Sequence, residues 1–282
     1  MKSFVVLTIA ILFTLNNSYS QAYYSDKVKK LWETPAVFKV PESVILDINR
    51  EIVYVSNING DPTEVDANGF ISKLGVDGKI VNLKWITGLN APKGMGIIAD
   101  TLYVADVNQV VKIDIQLGEI IDIYDAEGAV FLNDISIDDQ GRVFISDSGI
   151  SAIYVLENNS LSVFLPAGSF ERSNGLFCMD DKMFVGTKGK IKSVNLENKR
   201  IRDVMTVDCG IDGLEIWKKK YFVFSDWVGK VQMAGPNSDP VVLFDTTPES
   251  INAADIELMG KSNMILVPTF FDNRVMAYEI FE

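Results

Sequence analysis

Apolar residues along the chain fall in short runs divided by polar, turn-forming segments, and one kind of run recurs. It is a strand-like stretch that closes on a small residue followed by an acid, an amide or a threonine. The copies are Val53-Tyr54-Val55-Ser56-Asn57, Leu102-Tyr103-Val104-Ala105-Asp106, Val143-Phe144-Ile145-Ser146-Asp147, Met183-Phe184-Val185-Gly186-Thr187, Phe222-Val223-Phe224-Ser225-Asp226 and Ile265-Leu266-Val267-Pro268-Thr269. Their last residues step by 49, 41, 40, 39 and 43. A near-constant period of about forty residues marks a repeat architecture.

A second phrase precedes each copy by thirteen to fifteen residues. It is clearest in Leu132-Asn133-Asp134-Ile135, Ser173-Asn174-Gly175-Leu176 and Ile211-Asp212-Gly213-Leu214. The six matching positions are Glu42, Lys93, Asn133, Asn174, Asp212 and Ala254, with steps of 51, 40, 41, 38 and 42. The long first step is explained by residues 59–69, rich in Asn, Asp, Gly and Pro, which read as an inserted loop.

Each repeat holds about four β-type runs. In the fourth they are predicted at residues 175–179, 183–187, 190–195 and 201–207. Short turn segments such as Asp77-Gly78 separate strands elsewhere. Four strands in each of six repeats predict an all-β, six-bladed β-propeller. The sixth repeat lacks an outer strand, and residues 27–38 resemble the outer strands that precede the other ring positions. That N-terminal strand is expected to complete the last blade and so close the array without an open edge.

In a propeller the first strand of each blade lines the axis, so the six positions should form a ring at the channel mouth. Glu42, Asn133, Asn174 and Asp212 bring oxygen to it. Such a set suits a hard divalent cation, chiefly Ca²⁺, with Zn²⁺, Mg²⁺ or Mn²⁺ as alternatives. The same side chains would also serve a wet channel mouth holding no ion. Asp106, Asp147 and Asp226 end second strands and are read as bonding backbone turns. Trp32, Trp85, Trp217 and Trp227 are read as packing between blades. The stretch from Phe270 to Arg274 reads as a hairpin loop.

The chain contains no histidine, which removes Ser-His-Asp and Cys-His catalysis and histidine metal sites. A formal charge of −12 disfavours nucleic acid and anionic membrane surfaces as partners. Cys178 and Cys209 fall at separate places in the repeat scheme and are expected to stay unpaired. Lys2, an apolar run over residues 4–15 and the small-x-small Ser18-Tyr19-Ser20 read as a cleaved secretory signal. The apolar run is short for a membrane span, which takes about twenty residues. Residues 1–20 are therefore expected to be a signal peptide and residues 21–282 a single propeller domain, periplasmic or secreted, with no membrane span.

The phrases Pro41-Glu42-Ser43, Leu132-Asn133-Asp134, Ser173-Asn174-Gly175 and Ile211-Asp212-Gly213 each head their own blade. In this order and spacing the chain resembles the regucalcin–gluconolactonase group of six-bladed propellers, over most of residues 28–280. The resemblance implies one divalent metal held by Glu42, Asn174 and Asp212, with Asn133 beside it reaching substrate or water. It implies hydrolysis of a lactone or related ester, with Asp212 orienting or deprotonating the attacking water. A metal-bound carboxylate is a poor base, so positioning is the stronger part of that role.

Two positions depart from the family pattern. Phe131 stands where sugar lactonases of the group carry an arginine. Lys93 stands where a small residue is usual; it either turns inward, to pair Glu42 or to replace that arginine as a substrate contact, or turns out to solvent. These departures leave open a second function, a non-catalytic extracytoplasmic binding propeller with a structural cation. A strictosidine-synthase-type propeller is a more distant resemblance, and Ala254 leaves its last blade without the corresponding acid.

Overall fold

The structure is a computed structural model that describes residues 21–235, 238–260 and 262–282. The expected signal peptide, residues 1–20, lies outside the described residues. The strands assemble into six sheets, one per repeat, and the only helical turns among the described residues are two short 3₁₀ segments, Thr247–Glu249 and Phe270–Asp272.

Blade one runs from the inside outward as Pro41–Asp47, Ile52–Asn57, Gly69–Gly75 and Ile80–Leu89. Blade two is Pro92–Ile98, Thr101–Asp106, Gln109–Asp114 and Glu119–Asp125. Blade three is Leu132–Ile137, Val143–Asp147, Ala152–Glu157 and Ser160–Leu165. Blade four is Leu176–Met179, Lys182–Asn195 and Ile201–Gly210. Its long middle segment turns back on itself at Lys188 and Gly189, so that the Leu196 N–H donates to the Asp181 carbonyl at 2.9 Å. Gly189 supplies the positive φ of 79° that this tight turn needs. The second and third strands expected from the sequence are thus both present.

Blade five is Leu214–Trp217, Tyr221–Asp226, Lys230–Ala234 and Val241–Asp245, with Tyr23–Tyr24 added at its outer edge. Blade six is Glu257–Met259, Met264–Pro268, Val275–Ile280 and, outermost, Val28–Glu33. The last pairing is antiparallel, from Val28 opposite Ile280 to Glu33 opposite Met276. The expected closure is therefore present, and the N-terminal segment also caps the neighbouring blade.

The core lies between blades, where inward faces of adjacent sheets meet. Phe38, Val44, Val53, Val55 and Leu74 of the first blade region pack with Leu266, Val275 and Ala277 of the last. Each such side chain stabilises the fold by about 1.5–3 kcal/mol on burial. Trp217 and Trp85 are part of this packing, as expected, whereas Trp227 is not. Both cysteines are free. Burial pushes the thiols of Cys178 and Cys209 up to about 12, which leaves them inert at neutral pH. Among the described residues no helix is long and apolar enough to cross a membrane.

Candidate functional site

The inner strands of blades one, two and three all begin with a bulge. In blade one, Pro41 faces Asn57 and Val44 faces Val55, so two residues, Glu42 and Ser43, oppose Ser56 alone. A bulge re-aims the side chain it carries. Here it turns the ring residue toward the axis. A buried serine on the second strand accepts the N–H that follows the ring residue: Ser43 N–H to Ser56 Oγ at 2.9 Å, Asp134 N–H to Ser146 Oγ at 3.0 Å and Gly213 N–H to Ser225 Oγ at 2.8 Å. The acid after that serine, or its equivalent, holds the incoming loop. Asp106 accepts from the N–H groups of Asn90 and Ala91, and Asp147 from those of Val130 and Phe131.

Gly175 and Gly213 follow ring positions where neighbouring strands close in. A Cβ on Gly175 would lie 2.4 Å from the Asp212 carbonyl oxygen, and one on Gly213 would lie 2.4 Å from the Ile256 nitrogen. Only glycine permits that approach, which draws Asn174 and Asp212 together.

Glu42, Lys93, Phe131, Asn133, Asn174 and Asp212 all line one cavity of about 460 Å³. Ala254, the sixth ring position, is buried with Phe270, Ile58 and Ala91 in an apolar cluster. Asn174 Nδ2 donates to Asp212 Oδ1. Asn133 Nδ2 donates to Ser148 Oγ at 3.1 Å, which leaves its carbonyl oxygen as the acceptor available to the cavity.

Glu42 is 5 % exposed and Asp212 8 %, yet Glu42 Oε2 and Asp212 Oδ2 are buried with no hydrogen-bond partner. Burial, then the neighbouring Asp212 charge, holds the Glu42 carboxyl well above the usual carboxylate range, with Lys93 partly opposing. Burial pushes Asp212 up to about 7, against the hydrogen bond from Asn174 and the charge of Arg172. Two desolvated acids with one unmet oxygen each form an arrangement that a bound cation would relieve. The donors are all hard oxygen, so the residues present fit a divalent ion of the Ca²⁺ type. Among the described residues no three or more Asp, Glu, Cys or His side chains converge as a metal cluster. Any ion here would lean on two carboxylates and on amide oxygens.

Lys93 turns inward. It is 1 % exposed, its Nζ donates to the Ala91 carbonyl at 2.8 Å, and it sits 4.5 Å from the centroid of the Phe131 ring. No ion pair joins it to Glu42 among the described residues. Burial pulls its ammonium down to about 8, while the charges of Glu42 and Asp106 resist that fall. Lys93 and Phe131 therefore occupy each other.

Below the ring the structure brings together carboxylates that the repeat reading passed over. Asp134, Glu215 and Glu257 lie on the inner strands of blades three, five and six, and Asp255 stands just before the last of these. Burial raises all of them, Asp134 to about 7 and Glu257 to about 8, and the Asp134 charge adds to the rise of the other three. Ser43 Oγ donates to Asp255 Oδ2 at 2.6 Å, and the Leu176 N–H to Asp134 Oδ2 at 2.6 Å. Their sequence signal was a carboxylate at or just before an otherwise apolar inner strand.

Trp227 is the one tryptophan that does not serve as expected. It stands at the cavity mouth, 38 % exposed, beside Phe270 and Phe271. Phe270 has a φ of 48°, a left-handed conformation that costs a bulky residue on the order of 1–3 kcal/mol. The hairpin loop expected at 270–274 thus forms a wall of the site.

No protein-family model matches the chain, and no curated protein sequence matches it. Among solved structures, a catalytically inactive histidine-to-alanine variant of virginiamycin B lyase from Staphylococcus aureus, with quinupristin, is similar in fold. The TM-score is 0.63 at 14% identity, over 90% of this chain and 99% of that one. The similarity establishes the six-bladed propeller.

Proposed function

We propose that this protein is a divalent-cation-dependent hydrolase that opens a lactone or related ester at the channel mouth. The observation that carries the reading is the pair of buried, unpartnered oxygens, Glu42 Oε2 and Asp212 Oδ2, in one cavity with Asn174 and Asn133. Glu42, Asn174 and Asp212 would hold the cation. When bound, it supplies a Lewis acid for the substrate carbonyl.

The chain's own groups do the rest. Asn174 fixes one oxygen of Asp212 through its amide. The other oxygen of Asp212, Oδ2, would face both the cation and the attacking water; the water oxygen bonds to the acyl carbon as the ester C–O bond breaks, and one water proton leaves to solvent. The products are the carboxylate and the freed hydroxyl, which takes the second proton. Asn133 positions the ring of the lactone through a water that donates to its carbonyl oxygen and to a lactone oxygen. Lys93 lines the same cavity, and its ammonium would serve as a donor to developing negative charge.

The reaction of the structural neighbour is not available by analogy. Its solved variant lost activity with one histidine replaced, and this chain has no histidine. A second reading, a binding propeller with a structural cation, is favoured by the engagement of Lys93 with the Ala91 carbonyl and Phe131. Chelator-treated protein with and without Ca²⁺, Mg²⁺, Mn²⁺ or Zn²⁺, tested on a lactone and aryl-ester panel, separates the two. Turnover only with cation, lost in Asp212→Asn, supports the hydrolase. Cation binding with every substrate left intact supports the binding propeller.

A further inference from the structure

We infer that the preferred substrate carries an apolar substituent, which lies against an aromatic wall built by Trp227, Phe270 and Phe271. The inference rests on the hydrolase reading of the same cavity. The wall comes from equivalent loops of adjacent blades, each following the blade's second strand. Trp227 and Val228 lie in the turn of blade five, and Phe270 and Phe271 in the 3₁₀ turn of blade six. The three rings meet edge to face, with centroids at 5.3 Å for Trp227–Phe270, 5.9 Å for Trp227–Phe271 and 4.8 Å for Phe270–Phe271.

Phe271 is 62 % exposed and Trp227 38 %, so two large apolar faces remain open to the cavity and its mouth. A single exposed ring is ordinary, whereas a contiguous group at a cavity rim marks a binding surface. The wall is also held rigid. Thr269 Oγ1 donates to the Arg274 carbonyl at 2.9 Å and accepts from the Arg274 N–H at 2.8 Å. Arg274 pairs with Asp272 at 2.8 Å, and the left-handed backbone of Phe270 sits inside this clasp. A rigid apolar face takes up a ligand without an ordering cost of its own.

The remaining lining agrees. Ile58 and Pro62 of blade one extend the apolar side, and Phe131 lies on the other side against Lys93. Charged side chains of the rim, Arg172 and Lys188, come from the fourth-blade side. A polyhydroxylated lactone would need a hydroxyl partner at every edge. The charged and amide side chains of the lining come from blades one to five, whereas blade six offers only Phe270 and Phe271, and an apolar chain or ring fits there.

The test uses the cation-loaded full chain and a series of γ-butyrolactones with 4-alkyl groups from hydrogen to nonyl. Turnover is followed by pH-stat. Binding is followed by calorimetry with the matching lactams, which resist hydrolysis. Each added methylene is expected to raise kcat/KM and tighten lactam binding by about two- to fourfold until the wall is covered. In Trp227→Ala/Phe271→Ala that dependence on chain length should flatten, whereas Phe271→Leu should retain it. Lactam affinity or turnover independent of chain length, or a preference for gluconolactone, would overturn the aromatic wall as a selector. Chain-length-dependent lactam binding without turnover of any lactone would overturn the hydrolase and leave the wall standing.

Discussion

Asn174 Nδ2 donates to Asp212 Oδ1 between adjacent blades, and the other oxygen of that carboxylate, Asp212 Oδ2, is buried without a partner. An unmet buried acceptor costs about 1–3 kcal/mol, more when charged. Glu42 Oε2 repeats the situation on the first blade. Two such costs in one cavity have a common remedy in a cation.

Asp212→Asn should therefore separate binding from folding. The amide keeps the shape and removes a desolvated charge. Divalent-cation affinity is expected to fall about 100-fold or more. The melting temperature of the cation-free protein should hold or rise, because a buried acid no longer has to stay protonated. Calorimetry and thermal melts on the same preparations check both.

The pH profile of the cation-free protein follows from the raised acids. Asp212 and Asp134 titrate near about 7 in the fold against an ordinary 3.8, and Glu257 near about 8 against 4.5. The folded state keeps protons that the unfolded chain releases. Their stabilising contribution is complete below about pH 4 and is lost as pH rises to about 8. Lys93 acts in the opposite sense, with about 8 in the fold against 10.5, and adds stability between those values as pH rises. Melting temperature should thus pass through a minimum near pH 8, and saturating Ca²⁺ should fill that minimum. A profile that climbs steadily from pH 5 to 8 without cation would contradict the buried acids.

Lys93→Met keeps the apolar stem and removes a charge from beside Glu42. Cation affinity is expected to rise several-fold, since a like charge has gone from the cavity. If Lys93 also serves the substrate carbonyl, kcat falls at the same time, by about tenfold or more. Opposite movement of the two quantities, read by calorimetry and pH-stat, is the expected outcome.

Removing residues 21–38 strips Val28–Glu33 from blade six and exposes the edge of Val275–Ile280. The melting temperature should fall by about 10 °C or more, with a tendency to aggregate through the open edge. An equally heat-resistant truncation would contradict closure by this strand.

The repeat was legible because its chemistry is periodic. Ser56, Ser146 and Ser225 recur since each must accept the N–H that follows a ring residue, and Asp106 and Asp147 recur since each must hold a loop. The ring residues stand at a fixed offset before these second strands, so Glu42, Asn133, Asn174 and Asp212 could be placed at one mouth from spacing alone. The direction of Lys93 could not, because it depends on the Ala91 carbonyl and the Phe131 ring across a blade boundary. Trp227 read as packing because its partners, Phe270 and Phe271, lie in another blade's loop. The column of Asp134, Glu215, Asp255 and Glu257 was hidden for the same reason: each acid looks isolated on its own strand.

The most direct measurement is calorimetric titration of Ca²⁺ into chelator-treated protein at pH 6 and pH 8.5, in buffers of different ionisation enthalpy. One site per chain is expected, with protons released at pH 6, where the buried acids still hold them, and fewer at pH 8.5. Glu42→Gln and Asp212→Asn should each abolish or greatly weaken the heat. No cation binding by the unaltered protein, or binding that both variants retain, would contradict a cation site at Glu42, Asn174 and Asp212.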